Sequence, residues 1–156
     1  MARIEHFNNP NAPKPNSIVV AVTVFVQDEQ GRVLLIQRTD NGLWALPGGA
    51  QDFGEYIAET AVRETREETG VEIEVTGVVG IYTNPNHVVE YSDGEVRQQF
   101  SICFRGRYIG GKPTTSDESS AVRWVPQDEL NHLTVHPSTR LRIDHGFEGL
   151  TDPYIG

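Results

Sequence analysis

The sequence predicts one α/β or α+β domain. Three observations carry this: several runs rich in β-branched residues, one helical stretch with segregated faces, and turn residues between them. At 156 residues the chain is long enough to bury one sizeable core. We take residues 1–16 as an extended N-terminal arm and residues 17–156 as a single domain. The arm holds Asn8-Asn9-Pro10-Asn11 and Pro13-Lys14-Pro15-Asn16, turn-forming residues that build no core of their own. Two alternatives stand for it: a disordered tail, or a segment that packs on a second copy of the chain in a homodimer.

Ser17 to Val26 reads as a buried strand. Asp28-Glu29-Gln30-Gly31 supplies turn chemistry, and Arg32 to Arg38 follows as a second strand, making a hairpin. Leu43 to Leu46 is a short apolar segment that stops at Pro47-Gly48-Gly49. A helix is expected from about Glu55 to Thr69, with Gly70 as its C-cap. Val71 to Tyr82 reads as strand, with a break expected near Gly77 or Gly80. Asn84 to Glu95 reads as a polar loop, Arg97 to Ile109 as a long strand ended by Gly110-Gly111, and Lys112 to Ser120 as another loop. Ala121 to Val125 is a short strand. Pro126 opens a helix near Gln127 to Leu130, and Pro137 to His145 is a second short helix.

The 13 Lys and Arg against 22 Asp and Glu give a net charge of −9. That balance argues against duplex nucleic acid as a partner, because such binding needs a basic face. A small phosphate-bearing molecule stays open, since a bound metal inverts the local charge. The lone cysteine, Cys103, lies in a strand and reads as a packed thiol. The run Ile18 to Val26 is far short of the roughly 20 residues of a membrane span. It is followed by Gln27-Asp28-Glu29-Gln30 rather than a small-residue cleavage site, so a cytoplasmic protein without membrane association is expected.

The chemistry concentrates between Gly49 and Val71. At about 100° per residue, Ala58, Ala61, Val62, Thr65 and Thr69 share one face, while Glu64, Glu67 and Glu68 cluster on another. Like charges at i, i+3 and i+4 destabilise a helix by about 0.2–0.5 kcal/mol per pair. A hard divalent cation with oxygen ligands, Mg²⁺ for example, removes the conflict. Pro47-Gly48-Gly49 lets backbone approach a ligand closely, and Arg63 sits beside the acids with Glu55 as a partner upstream.

This segment resembles the Nudix box, G-x5-E-x7-R-E-U-x-E-E-x-G-U with U a bulky aliphatic. The matching residues are Gly49, Glu55, Arg63, Glu64, Glu67, Glu68, Gly70 and Val71; Thr65 stands at the first aliphatic position, where its methyl can still face the core. The likeness extends over about residues 17 to 146. It implies an α/β/α sandwich with a mixed sheet, and hydrolysis of a nucleoside diphosphate linked to another moiety with Mg²⁺ or Mn²⁺. It further implies Glu64, Glu67 and Glu68 as metal ligands, Arg63 and Glu55 as an orienting pair, and the backbone of Gly48 and Gly49 at the metal or the phosphates.

The proton acceptor for an attacking water is Glu67, Glu68, or Glu118 in the loop before the last strand; Glu118 also reads as a solvated loop acid. For substrate contacts the candidates are Arg38, Trp44, His87 and Tyr91, each with an ordinary structural alternative: a surface ion pair for Arg38, the core for Trp44, a solvated loop for the other two. His132 and His136 lack the Glu of a H-E-x-x-H zinc motif. Pro85, 15 residues after Gly70, stands close to where the ADP-ribose subgroup of the resembled family tends to carry a proline, so the resemblance implies ADP-ribose-like substrates first. A (deoxy)nucleoside triphosphate pyrophosphohydrolase is the alternative enzyme, and a ligand sensor on the same scaffold is the alternative of another class.

Overall fold

A computed structural model of the chain describes residues 3–156. Among the described residues ten strands and two α-helices follow one another: β1 (Arg3–Phe7), β2 (Ser17–Gln27), β3 (Val33–Arg38), β4 (Trp44–Ala45), β5 (Gly48–Ala50), α1 (Ile57–Thr69), β6 (Val71–Tyr82), β7 (His87–Tyr91), β8 (Val96–Gly111), β9 (Ser119–Val125), α2 (Pro137–Glu148) and β10 (Tyr154–Ile155). The sheet is mixed. β8 runs parallel to β2 over their whole common length and antiparallel to β6 and β7. α1 packs against β2, β5 and β6, and α2 packs against β2 and β6.

Alternation along the strands assigns each side chain to a layer. Val22, Val24, Val26, Leu34, Ile73 and Phe104 pack with Ala61 of α1. Phe25, Leu35, Val79, Tyr82 and Cys103 pack with Ile143 of α2. The result is the α/β/α sandwich. Thr65 is fully buried, and its hydroxyl donates to the Ala61 carbonyl at 2.8 Å, so the departure from an aliphatic residue leaves no polar atom unpaired. Cys103 is fully buried, and burial pushes its thiol pKa up.

The expected hairpin is splayed. Its turn forms as predicted, with Gly31 at φ 77° and Asp28 Oδ1 accepting from the Gln30 and Arg32 amides. Only Gln27 and Val33 pair across it; β2 then takes β5 as neighbour, and β3 takes β4 and β9. All of Val33 to Ile36 are buried, so both faces of β3 are covered. The expected breaks in β6 are register shifts at Val75/Gly77 and Val78/Gly80. Helix α1 ends at Gly70 with φ 74°, as the C-cap reading requires. The segment after Pro126 is a 3₁₀ helix, Gln127–His132, rather than α-helix.

Three strands depart from the sequence reading. Residues 3–7, within the expected extended arm, form β1 and pair antiparallel with β7. The expected loop at Asn84 to Glu95 contains β7 itself. Tyr154–Ile155 adds parallel to β6 at Gly80 and Ile81. No helix among the described residues is long and apolar enough to cross a membrane.

Candidate active site

Helix α1 delivers the acids to one end of a cleft in graded exposure. Glu68 is 5% exposed, the Glu64 side chain 13% and the Glu67 side chain 57%. Arg63 is the cationic hub. Its guanidinium donates to both oxygens of Glu55, at 2.6 and 3.0 Å, to Glu64 at 2.9 Å, to Glu67 at 3.2 Å and to the Ala50 carbonyl at 3.1 Å. The Arg63 bond and the Asp52 amide hold Glu55 down to about 2. The Arg63 bonds tie the helix to Glu55 and to the Ala50 carbonyl at the end of β5.

The two glycines serve the protein's own packing as well as the cleft wall. A Cβ on Gly48 would fall onto the Val22 carbonyl oxygen across the β2–β5 pairing. A Cβ on Gly49 would lie 2.5 Å from the Glu64 carboxylate. On the Cβ side both glycines are therefore hemmed in by the protein itself, while both residues line the cleft and the acidic pocket. Glu118 reaches the same pocket from the loop before β9, which Ser119 anchors by donating to the Glu68 carbonyl at 2.7 Å.

Arg63 touches Glu64 and Glu67 but not Glu68. Burial first, then the charges of Glu64 and Glu118, pushes Glu68 up to about 9. An all-oxygen donor set of Glu64, Glu67, Glu68 and Glu118, with a buried carboxylate that resists ionisation, fits a hard divalent cation. In metal-free protein the folded state holds a proton that the unfolded chain, at its ordinary pKa of 4.5, has released. Stability of the metal-free form therefore falls as pH rises from 4.5 towards 9. We expect the Tm in EDTA to drop across that window and saturating Mg²⁺ to flatten the drop. Equal slopes with and without Mg²⁺ would count against a cation at Glu68.

The cleft that holds Glu68 and Glu118 is also lined by Arg3, Arg38, Arg97 and Arg142, and Arg38 lies beside the acids, since its neighbour Thr39 donates to the Glu118 carbonyl at 3.2 Å. Arg38 forms the surface ion pair, with both Asp40 oxygens at 2.9 and 2.7 Å, while still lining the cleft. Trp44 is half-buried, packs on the α2-side core and also forms cleft wall. His87 and Tyr91 are strand residues, not loop residues. β1–β7 pairing sets Phe7 opposite His87, Glu5 opposite Val89 and Arg3 opposite Tyr91, so alternate residues of both strands share the cleft face.

His87 is 4% exposed and donates from Nε2 to Glu5 at 2.6 Å. His136 stacks on it at 5.5 Å and faces Glu5 at 3.6 Å. Ligand atoms of Glu5, His87 and His136 lie within 4.8 Å of one another. Yet Nδ1 of His136 accepts the Ser138 amide at 3.2 Å, which assigns the proton of the neutral ring to Nε2, the nitrogen facing Glu5. The trio reads as a carboxylate between two imidazole donors, not as a metal centre. Burial raises the Glu5 pKa, but the His87 bond and the charges of His136 and Arg3 outweigh it and hold it at about 2.

Sequence reasoning missed Arg3, Glu5, Gln99, Ser101, His136 and Arg142 as cleft residues. A signal for the first two was present in the alternation Arg3-x-Glu5-x-Phe7. His136 and Arg142 reach the cleft only through the docking of α2.

Residues 18–145 match the NUDIX domain family. The chain is 37% identical over 120 residues to a MutT-like protein of Streptomyces ambofaciens, covering 77% of this chain and 71% of that one. It is 32% identical over 126 residues to an ADP-ribose pyrophosphatase of Methanocaldococcus jannaschii, covering 76% and 63%. The crystal structure of a NUDIX hydrolase from Nitrosomonas europaea superimposes with a TM-score of 0.74 at 22% identity, over 90% of this chain and 80% of that one. With the fold, the acid-bearing helix and these matches together, the chain belongs to the Nudix hydrolase family.

Proposed function

We propose that this protein hydrolyses the pyrophosphate bond of a nucleoside diphosphate derivative with Mg²⁺ or Mn²⁺, and that ADP-ribose-like compounds are its substrates. The observation that carries this is that Glu64, Glu68 and Glu118 line one pocket, and that Glu68 and Glu118 also line a cleft shared with four arginines. The M. jannaschii relative, named an ADP-ribose pyrophosphatase, supports the substrate class.

Glu64, Glu67 and Glu68 hold the cation, with the Gly48 and Gly49 strand as the wall behind it. When bound, the cation neutralises phosphate oxygens and lowers the pKa of a coordinated water. Glu118, facing Glu68 across the pocket, accepts the proton from the attacking water, with Glu67 as the alternative acceptor. Arg63 and Glu55 keep the helix and β5 in register and touch no substrate. Arg38, Trp44, His87 and Tyr91 line the path of the nucleotide.

The test is a turnover panel with Mg²⁺ and with Mn²⁺. ADP-ribose yielding AMP and ribose phosphate supports the proposal. Preferred conversion of nucleoside triphosphates to monophosphate and pyrophosphate assigns the triphosphate reading instead. Tight binding without turnover of any compound assigns the sensor.

A further inference from the structure

Four buried side-chain atoms have no hydrogen-bond partner among the described residues: Arg3 Nε, Thr23 Oγ1, Ser101 Oγ and Arg142 Nε. All four residues line the one cleft. A buried polar group without a partner costs free energy comparable to a lost hydrogen bond, and an unpaired buried charge costs more. Arg3 Nε faces Asp40 at 3.5 Å and Thr23 lies beside the Cys103 thiol, so Ser101 Oγ and Arg142 Nε are the two left with no group opposite them, and these mark where a ligand would complete the structure.

Arg142 is the sharpest of them. It is 6% exposed and projects from α2 over the Tyr82 ring, 4.8 Å away. The other cleft arginines each face a carboxylate: Arg3 lies 3.5 Å from Asp40, Arg38 2.7 Å from Asp40 and Arg97 2.9 Å from Glu95. Arg142 forms no ion pair or hydrogen bond with any described residue. Ser101 on β8, which lines the same cleft, also carries a buried hydroxyl without a partner. Arg142 also stands where the cleft meets a second, more apolar cavity walled by Tyr82, Pro85, Leu141 and Tyr154.

We propose that Arg142 and Ser101 form a built subsite for an oxyanion, a phosphate ester or a carboxylate, carried by the substrate on the side away from the acid-bearing helix. The guanidinium fork pairs with two oxygens of the anion, and the hydroxyl donates to it. This rests on the pyrophosphatase reading of the same cleft and narrows it: among ADP-ribose-like compounds, the favoured ones carry a further phosphate ester or carboxylate on the moiety beyond the pyrophosphate, a charge that the plain ribose of ADP-ribose lacks. Charge neutralisation is then divided along the cleft, with a cation at the acids and Arg142 on the α2 side.

The test measures binding, so it stands whether or not the protein turns over a nucleotide. Inorganic phosphate, acetate and adenosine are titrated calorimetrically into the whole protein in EDTA. Without a divalent cation the acidic end repels anions and contributes no binding. We expect phosphate or acetate to bind, and the preferred one identifies the phosphate ester or the carboxylate. Arg142→Met should weaken it about ten- to a hundredfold, the loss of a charged hydrogen-bonding partner. Arg142→Lys keeps the charge without the fork and should retain part of the affinity, and Ser101→Ala should weaken it several-fold. Should the Met variant fail to fold, the Lys and Ala variants decide. Anion affinity unchanged in the folded variants overturns the proposal. So does an absence of anion binding by the unmutated protein, or saturation by adenosine alone with no response to anions.

Discussion

Glu68→Gln is expected to lower kcat by about 10²–10⁴-fold while the fold survives. Glu68 is the most buried of the three helix acids and lies where the charges of Glu64 and Glu118 converge. Glutamine preserves its shape and removes the charge that a divalent cation requires. The same change relieves an electrostatic conflict in the metal-free protein, so Glu68→Gln should melt higher than the unmutated chain in EDTA at pH 8. Mg²⁺ should then raise the Tm of the unmutated chain but barely that of the variant. Glu67→Gln should also lower kcat by orders of magnitude, though with less effect on the metal-free melt, because its side chain is half-exposed. Turnover close to that of the unmutated chain in both variants would overturn the metal-site assignment.

Alanine at the two adjacent glycines separates folding from chemistry. At Gly48 the new methyl meets backbone, the Val22 carbonyl in the β2–β5 pairing, which cannot step aside. The expected outcome is a loss of about 1–3 kcal/mol or more, read as a lowered denaturation midpoint. At Gly49 the methyl meets the end of a flexible side chain, the Glu64 carboxylate at 2.5 Å. Glu64 can rotate away, so the fold should persist. The displaced carboxylate should cost about 10²-fold in kcat, since a shift near 1 Å in a positioned group has that effect. A Gly49→Ala variant with unchanged kcat and raised metal affinity would refute the placement of Glu64. A fully stable Gly48→Ala would refute the close approach of β5 to β2.

Much of the fold is legible locally. The strand at 17–27, helix α1 with its Gly70 cap, and the shifts at Gly77 and Gly80 all follow from side-chain period and glycine placement. So do the box acids, because three carboxylates on one helix face form a pattern within six residues. The edge strands were not legible. β1 is short, followed by Asn and Pro, and becomes a strand by pairing with β7 across 80 residues or more, while β7 also pairs with β8 through the turn at Ser92 to Gly94. The long-range pairing leaves no mark in a local window. The splaying of the hairpin is of the same kind: local turn chemistry specified its closed end, and the competition of β5, β9 and β4 for strand edges decided the rest.

The acid-bearing helix and the likeness to the family were readable from the residue pattern, and the sandwich followed from that likeness. Which acid is buried and which remains wet came from the folded arrangement, because burial depends on what packs against the helix, not on its angular spacing. Only the tertiary structure, too, set an unpaired Arg142 against an acidic cluster in one cleft. A helical arginine looks the same in sequence whether it faces water or a cavity, and its cost or use arises when folding removes the water around it.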